Sequence, residues 1–362
     1  MNRVLLGDVV QINPSTKISK GQPVKFISMD KLGPFTKIPN GYEKRKFSSG
    51  TKFTNGDTLL ARITPCLENG KTAFVDFLDD LEVAAGSTEF VILRNIEGST
   101  DPDYIYYLSI SPAFRDYAIK SMVGTSGRQR VQNDVLAKME LNLPPLDQQK
   151  KIADILGSLD EKIELNRRMN ETLEQLGQTL FRHYFIDNPE AKDWENIYLG
   201  DIVAITTGKG STKANLSEYG KYPLYGANGI MGRSQSYLLN EKVIVTGRVG
   251  TLGVVRAVVD KAWFSDNVII MKPDPSIFGY VFYVVCGIDY ASLNRGSTQP
   301  LITQTDLKKQ RVKLPPLSTL QRFENSYAVI FNQIQANKRQ MSTLVAIRDS
   351  LLPKLISGEI EI

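Results

Sequence analysis

In two long stretches of the chain, mostly apolar residues recur at alternating steps of three and four. This is the spacing of the contact face of a helix in a coiled coil, here called its seam. The first seam consists of Ile152, Leu156, Leu159, Ile163, Asn166, Asn170, Leu173, Gly177 and Leu180. The second consists of Phe323, Tyr327, Ile330, Ile334, Asn337, Met341, Leu344, Arg348 and Leu351. The pattern predicts two helices of about 40 residues, each roughly 60 Å long at the rise of an α-helix.

A Pro-Pro pair stands directly before each predicted helix, at Pro144-Pro145 and at Pro315-Pro316. Proline is not tolerated in a helix interior, so the helices are expected to begin just after these pairs. Asp147 and Ser318 are the predicted N-caps because their side-chain oxygens can accept from free backbone N–H groups.

The chain repeats itself. Residues 4–12 read VLLGDVVQI and residues 197–205 read IYLGDIVAI, while a constant offset of 171 residues relates the two helices from Pro-Pro-Leu onward. This offset pairs Ile163 with Ile334 and Asn166 with Asn337. Each half therefore has the same order, a segment rich in strand formers and glycines followed by one long helix.

The two seams are expected to pack on each other in an antiparallel arrangement, because a short linker leads from the first helix into the second globular segment. Asn166 and Asn337 are equivalent seam positions, where a buried polar residue can determine register. The alternative is that both asparagines lie at a water-exposed edge. The helix pair is interpreted as a spacer of constant length between two binding modules.

The globular segments carry short strand patterns separated by glycine turns. Predicted strands are 58–62, 72–75 and 89–93 in the first half, and 243–245, 253–255 and 267–271 in the second. Residues 103–119 and 277–293 are predicted as helices, and their aromatic residues are interpreted as core rather than as a base-stacking platform.

The fold class that follows is α+β: two similar domains with twisted β-sheets, joined by two long antiparallel helices that form a coiled coil with an internal pseudo-twofold repeat. The predicted boundaries are 1–145 for the first domain, 146–186 for the first helix, 187–194 for a linker, 195–316 for the second domain, 317–357 for the second helix and 358–362 for a tail.

Composition narrows the function only slightly. The formal net charge of +5 is compatible with a polyanionic partner. Two distant cysteines, Cys66 and Cys286, favour a reducing cytoplasm over a disulfide framework. No signal peptide and no membrane span are expected from the apolar runs.

Catalytic chemistry is not indicated. The one histidine, His183, falls near the end of the first helix, and no His or Cys spacing of a metal site occurs. Asp160-Glu161-Lys162 has the composition of a nuclease site but lies beside the helix seam, so a solvated helix face is predicted. We expect no catalytic residue, no metal and no cofactor in this chain.

Donor-rich loops occur at corresponding places in both halves, GTSGRQR at 124–130 and RGSTQ at 295–299. Arginine, glutamine, serine and threonine are the side chains that contact phosphates and read base edges, although any one such loop could be an ordinary solvated turn. The candidate nucleic-acid contacts are Arg62, Lys71, Ser87, Thr88, Ser126, Arg128, Gln129, Arg130, Asn228, Arg233, Arg248, Thr251, Arg295, Ser297, Thr298 and Gln299.

These motifs resemble a known family, the specificity subunits of type I restriction-modification enzymes. TLLARITPCLENGK (58–71), AGSTEF (85–90) and GTSGRQRV (124–131) resemble a first target-recognition domain. YPLYGANGIMG (222–232), GRVGTLG (247–253), WFSDNVI (263–269) and GSTQPLITQTDL (296–307) resemble a second. LPPLDQQKKI (143–152) and LPPLSTLQRF (314–323) resemble the starts of the family's spacer helices, except that Thr319-Leu320 replaces the Gln pair.

The resemblance implies that each domain reads one half of a split, asymmetric sequence in double-stranded DNA and that the helices set the gap. It also implies partners: two DNA adenine methyltransferase subunits that bring S-adenosylmethionine, and a restriction subunit that translocates DNA. Two other functions stay open, a coiled-coil scaffold without DNA readout and an enzyme with an unfamiliar site.

Overall fold

A computed structural model describes residues 2–125, 127–210, 217 and 219–362. The chain forms two compact units. The first combines residues 1–168 with residues 337–362, and the second comprises residues 169–336. Each long helix contributes one half to each unit.

The globular part of the first unit, here the first head, has ten strands and four short α-helices among its described residues. Its strands are β1 (Asn2–Leu5), β2 (Val10–Ile12), β3 (Pro23–Ile27), β4 (Glu43–Lys46), β5 (Thr51–Phe53), β6 (Thr58–Ala61), β7 (Thr72–Phe74), β8 (Ala84–Gly86), β9 (Phe90–Asn95) and β10 (Glu140–Leu143). Its helices are α1 (Leu6–Val9), α2 (Pro102–Ile110), α3 (Pro112–Lys120) and α4 (Asn133–Ala137). Three sheets form, in the strand orders β1-β10, β2-β9-β6-β7 and β4-β3-β8-β5.

The first long helix is α5 (Leu146–Phe181), which continues into a π-helical turn at Arg182–Ile186. The globular part of the second unit, the second head, follows it. Its strands are β11 (Glu195–Tyr198), β12 (Val203–Thr207), β13 (Tyr222–Gly226), β14 (Gly229–Ser234), β15 (Val243–Gly247), β16 (Arg256–Val258), β17 (Trp263–Phe264), β18 (Val268–Pro273) and β19 (Arg311–Leu314). Its helices are α6 (Leu199–Ile202), α7 (Phe278–Cys286) and α8 (Gln304–Lys308), and the second long helix is α9 (Leu317–Ser357).

The two heads share most of their topology, although the sheet β4-β3-β8-β5 of the first has the three-stranded counterpart β14-β13-β17 in the second. The terminal pair β11-β19 corresponds to β1-β10, and the sheet β12-β18-β15-β16 corresponds to β2-β9-β6-β7. A parallel pair also recurs, β3 with β8 in the first head and β13 with β17 in the second. The α+β class and the internal repeat predicted from the sequence are therefore confirmed.

The long helices run antiparallel. In the first unit Asp160 pairs with Arg348 and Asn166 bonds to Gln340, so partner numbers fall along α9 as they rise along α5. In the second unit the end of α5 packs on the start of α9, where the rings of Phe181 and Phe323 are 6.1 Å apart. The antiparallel arrangement expected from the short linker is confirmed.

The N-cap prediction is wrong, because both helices begin before the predicted residues, at Leu146 and at Leu317. Asp147 and Ser318 thus lie in the first turn. The carbonyl of Pro145 accepts from the backbone N–H groups of Gln148 and Gln149 at 3.0 Å. The strand β10 therefore ends just before Pro144, and Pro145 provides the first helical acceptor.

Glycine and proline shift other predicted elements. The strand expected at 253–255 is displaced to Arg256–Val258, because Gly250 and Gly253 adopt positive φ and prolong the turn. The helix expected over 103–119 breaks at Ser111, where Pro112 starts α3. The helix expected over 277–293 ends at Cys286.

The aromatic residues of α2 and α7 belong to the core, as predicted. Tyr104, Tyr106 and Tyr107 are buried in the first head, and Phe278 and Tyr280 are buried in the second. Burial raises the pKa of the Tyr106 hydroxyl well above its usual value. These rings are not available as stacking platforms for bases.

The polar residues of the seam are buried. Asn166 and Asn337 are 1% and 3% exposed, so neither lies at a water-exposed edge, and Ile334 is buried while Ile163 is half-buried. Nδ2 of Asn166 donates to Oε1 of Gln340 at 2.8 Å. The assignment of Asp160 to a solvated face is wrong, since this carboxylate is buried against Arg348 and Tyr107.

Candidate nucleic-acid interface

Three loops of the first head meet at Arg62, the residue that follows β6. The backbone N–H of Arg62 donates to the carbonyl of Glu89 at 2.9 Å, and its own carbonyl accepts from the N–H of Val131 at 2.9 Å. Since β6 is a central strand of its sheet, these bonds place the loops at 62–64, 87–89 and 129–131 side by side where the C-terminal end of β6 leaves the sheet.

The second head repeats this junction at Arg248, the residue that follows β15. The backbone N–H of Arg248 donates to the carbonyl of Asn267 at 2.8 Å, and the carbonyl of Arg248 accepts from the N–H of Ile302 at 3.0 Å. Arg62 and Arg248 are therefore structurally equivalent, and so are Glu89 and Asn267.

A second bond confirms the equivalence of these loops. The N–H of Ser87 donates to the carbonyl of Ile27 at 3.0 Å, and the N–H of Ser265 donates to the carbonyl of Tyr225 at 2.9 Å. The segment Ser265-Asp266-Asn267 thus corresponds to Ser87-Thr88-Glu89. Sequence reasoning selected Ser87 and Thr88 but missed their counterparts. The offset of 171 residues between the halves could not reveal them, because the offset has a different value in this region.

The loops of the first head carry a defined charge arrangement. Arg130 holds both carboxylate oxygens of Glu89, with its Nε 2.9 Å from Oε2 and its Nη2 2.7 Å from Oε1. The hydrogen bond from Arg130 lowers the pKa of Glu89, which burial would otherwise raise. Nε of Arg62 is buried beside this pair and has no hydrogen-bond partner among the described residues.

The remaining candidates of the first head fall into two groups. Thr88 and Arg128 are exposed and Gln129 is half-buried, with its N–H donating to Oγ1 of Thr64 at 3.1 Å. Nζ of Lys71, in contrast, donates to the carbonyl of Met29 at 2.9 Å and so links the segments around residues 71 and 29. Ser126 lies outside the described residues.

Several candidate DNA contacts of the second head lie in two adjacent loops. The loop that starts at Arg248 adjoins the loop at 295–301, since the N–H of Gly250 donates to the carbonyl of Pro300 at 2.9 Å. Thr251 is half-buried in the first of these loops. In the second of these loops, Ser297, Thr298 and Gln299 are exposed.

Three other polar residues of the second head have structural partners. Arg233 donates to the carbonyls of Gly220 and Lys221, and Arg295 pairs with Asp306. Asn228 is exposed, and its carbonyl accepts from Nη2 of Arg256 at 3.1 Å. The structure thus brings Arg248, Thr251 and residues 297–299 together, while Arg233 links β14 to the segment before β13.

Neither metal ligation nor membrane insertion is indicated within the described part of the chain. There, no three or more His, Cys, Asp or Glu side chains gather as metal ligands. No helix in the same residues has both the length and the apolar character needed to span a bilayer.

Known proteins show which family shares these features. A family model described as the type I restriction modification DNA specificity domain matches residues 1–175 and again residues 191–337. The type I restriction enzyme MjaIX specificity subunit of Methanocaldococcus jannaschii is 26% identical over 302 residues, which cover 72% of this chain and 69% of the relative. The HindI specificity subunit of Haemophilus influenzae is 36% identical over 133 residues, covering 36% of this chain and 28% of the relative.

A solved structure shares the fold. The S subunit of a type I restriction-modification system from M. genitalium has a TM-score of 0.60 and 17% sequence identity, covering 98% of this chain and 96% of that one. The family model matches the chain twice and covers well over half of its residues. The chain therefore belongs to the type I restriction-modification DNA specificity family, with one specificity domain in each half.

Proposed function

We propose that each head reads one half of a bipartite, asymmetric DNA sequence and that the paired helices set the gap between the two halves. The observation that carries this proposal is the equivalent placement of Arg62 and Arg248 after the central strands β6 and β15. Each arginine stands where three loops converge, and such loops offer the donors that contact phosphates and base edges.

The two loop sets differ in chemistry, which supports an asymmetric target. The first head presents Arg62 with the Glu89–Arg130 pair, whereas the second presents Arg248 with Asn267 and the polar loop 297–299. Arginine pairs well with guanine, and asparagine or glutamine pairs well with adenine. Unlike donor sets on one scaffold are expected to select unlike base sequences.

The helices also provide the surface on which two methyltransferase subunits would dock, and a restriction subunit would join that complex. In this arrangement the chain supplies sequence recognition, and the methyltransferase supplies the methyl donor and the catalytic groups. We propose a double-stranded DNA partner for the heads and protein partners for the helices, with no cofactor bound by this chain.

Methylome mapping tests the proposal directly. The full chain is co-expressed with its methyltransferase, and the methylated sequences are determined for Arg62→Ala and for Arg248→Ala. Each variant should relax the bases of one half of the site and leave the other half unchanged. Arg3→Ala is the matched control, because Arg3 is exposed and pairs with Glu140 between β1 and β10.

The competing function, a scaffold without DNA readout, predicts a different result. In that case the purified chain would not bind random-sequence duplex with a salt-dependent affinity, and neither arginine variant would alter a methylated sequence. Relaxation of both half-sites by a single variant would also contradict the proposal that the heads read separately.

A further inference from the structure

A buried ion pair joins the two long helices inside the first unit. Nη1 of Arg348 is 2.6 Å from Oδ1 of Asp160, and the two side chains are 4% and 7% exposed. The hydroxyl of Tyr107 donates to the other carboxylate oxygen at 2.9 Å, and the carbonyl of Phe35 accepts from Nη1 of Arg348 at 3.2 Å. Nε and Nη2 of Arg348 also donate to Oδ1 of the exposed Asp349 at 3.0 and 2.9 Å. Both charges of the pair are thus out of water and hydrogen-bonded, in part by the first head.

The internal repeat does not reproduce this pair in the second unit. At the offset of 171 residues, Asp160 corresponds to Phe331 and Arg348 corresponds to Gly177. Phe331 is buried and packs on Tyr327 and Phe278, with ring centroids 5.5 and 6.2 Å away. Gly177 leaves room for the ring of Tyr283, whose hydroxyl would overlap any added Cβ.

This asymmetry affects which helices can pair. Because α5 and α9 are repeats of each other, a pair of two α5 helices from separate copies would set Asp160 opposite Gly177. A pair of two α9 helices would set Arg348 opposite Phe331. A pair of two α5 helices would bury two Asp160 carboxylates without a counter-ion. A pair of two α9 helices would leave each Arg348 with only the exposed Asp349 of its own helix, 2.9 Å from Nη2. Removing one partner of a buried pair is strongly unfavourable. Only α5 with α9 compensates both buried charges across the seam.

The asparagine at the centre of the seam does not discriminate in this way. Asn166 and Asn337 are the same residue at equivalent positions, so exchanging one helix for the other leaves that position unchanged. Asn170 is buried and corresponds to Met341, but it carries no charge. The Asp160–Arg348 pair is therefore the charged difference between the two helices at the seam.

We propose that the Asp160–Arg348 pair selects the partner of each long helix, so that α5 pairs with α9 and not with α5 of a second copy. The consequence is that one molecule always combines two unlike heads. If two copies paired α5 with α5, or α9 with α9, each helix pair would carry two identical heads. Such an assembly would be expected to recognise a palindromic DNA sequence, and the Asp160–Arg348 pair disfavours it.

Cutting the chain once between the two long helices tests this selection. A protease site is inserted into the segment 187–190 without removing any residue, and the cut protein is unfolded in urea and returned to buffer. Native mass spectrometry then identifies which fragments associate. The wild type should yield complexes of one α5 fragment with one α9 fragment, and complexes of two α5 fragments or two α9 fragments would overturn the proposal.

Charge reversal shows whether the ion pair itself does the selecting. Cut, isotopically distinguished Asp160→Arg and Arg348→Asp proteins are mixed in urea and refolded together. Complexes with opposite charges at positions 160 and 348 should exceed those with like charges by at least about tenfold. Poor folding of either single variant does not spoil the test, because the matched fragments can still assemble.

Glu161→Arg provides the matched control, since Glu161 is the exposed neighbour of Asp160. Its fragments should assort statistically with wild-type fragments. If the Asp160→Arg and Arg348→Asp fragments also assort statistically, the ion pair has no role in partner choice and the proposal fails.

Discussion

Glu89 and Arg130 form a pair that contributes little to stability but would matter for the proposed DNA recognition. Their side chains are 26% and 41% exposed, and ion pairs exposed to this degree contribute little to the stability of a fold. The two-point contact nevertheless holds the guanidinium in one orientation, because Nε and Nη2 are both bound. An oriented guanidinium discriminates guanine better than a mobile one.

We therefore predict that Glu89→Gln relaxes recognition at one base pair of the first half-site. Discrimination there should fall by about 1–3 kcal/mol, the range of one bidentate base contact. The free energy of unfolding should change by less than about 1 kcal/mol. Binding to duplexes with single-base changes measures the first quantity, and urea denaturation measures the second.

Arg128→Ala is the comparison for that experiment, because Arg128 is exposed in the same loop. If Arg128 contacts a phosphate, losing that contact should weaken binding equally for all sequences and reduce the salt slope by about one. Unchanged base discrimination in Glu89→Gln would show that the carboxylate does not orient a base-reading arginine.

At the scale of elements, each long helix is fastened to a head near its start. Gln149 is fully buried in the first turn of α5, where Oε1 accepts from the N–H of Asp101 at 2.9 Å and Nε2 donates to the carbonyl of Ser99 at 3.0 Å. On α9, Glu324 accepts from the N–H groups of Gly279 and Tyr280 at 3.0 and 2.8 Å. Burial raises the pKa of Glu324 although these bonds oppose the shift.

We predict that Gln149→Leu destabilises the fold by about 1–3 kcal/mol, because the buried N–H of Asp101 loses its acceptor. Gln148→Leu is the control, since Gln148 is half-buried beside it and should change stability by about 0.5 kcal/mol or less. Urea denaturation of both variants provides the measurement. Equal effects of the two substitutions would contradict the anchoring role of Gln149.

The helices also permit a test of the spacer proposal. One heptad inserted after Arg168 and one after Arg339 should lengthen the pair by about 10.5 Å, or roughly three base pairs at 3.4 Å each. The preferred gap in the DNA site should grow by that amount, provided that the rotation of roughly 100° along the duplex is tolerated. Methylome mapping detects the new gap, and an active variant with the old gap would refute the proposed spacer role.

At the scale of the whole molecule, the repeated topology of the heads makes them candidates for exchange as units. Each head has its own core, and the terminal pairs β1-β10 and β11-β19 close each one beside its long helix. A change confined to one head is therefore expected to leave the loop geometry of the other unaltered.

We predict that replacing residues 195–312 with the matching domain of a relative changes one half of the target and preserves the other. The methylome of the hybrid provides the readout, with exchange of residues 1–141 as the reciprocal case. Simultaneous change of both halves in either hybrid would contradict independent reading by the heads.

Much of this architecture could be predicted because it depends on local patterns. Seam spacing and the Pro-Pro pairs predicted the long helices, and the Gly-Asp repeat indicated duplication. Local patterns failed where a distant residue decides the outcome. Asp160 looked like a surface residue because its partner Arg348 is 188 positions away. Asn267 was missed because its equivalence to Glu89 rests on backbone bonds rather than on sequence spacing.

Periodicity and repetition in the amino-acid order are enough to specify two alike heads and two long amphipathic helices, since each depends on neighbouring residues alone. Tertiary packing of strands and helices that are far apart in the chain determines which loops converge at Arg62 and Arg248. It also determines which residue faces each buried charge. Burial removes water as an alternative partner, so the identity of the facing residue then determines whether a charge or an amide is satisfied.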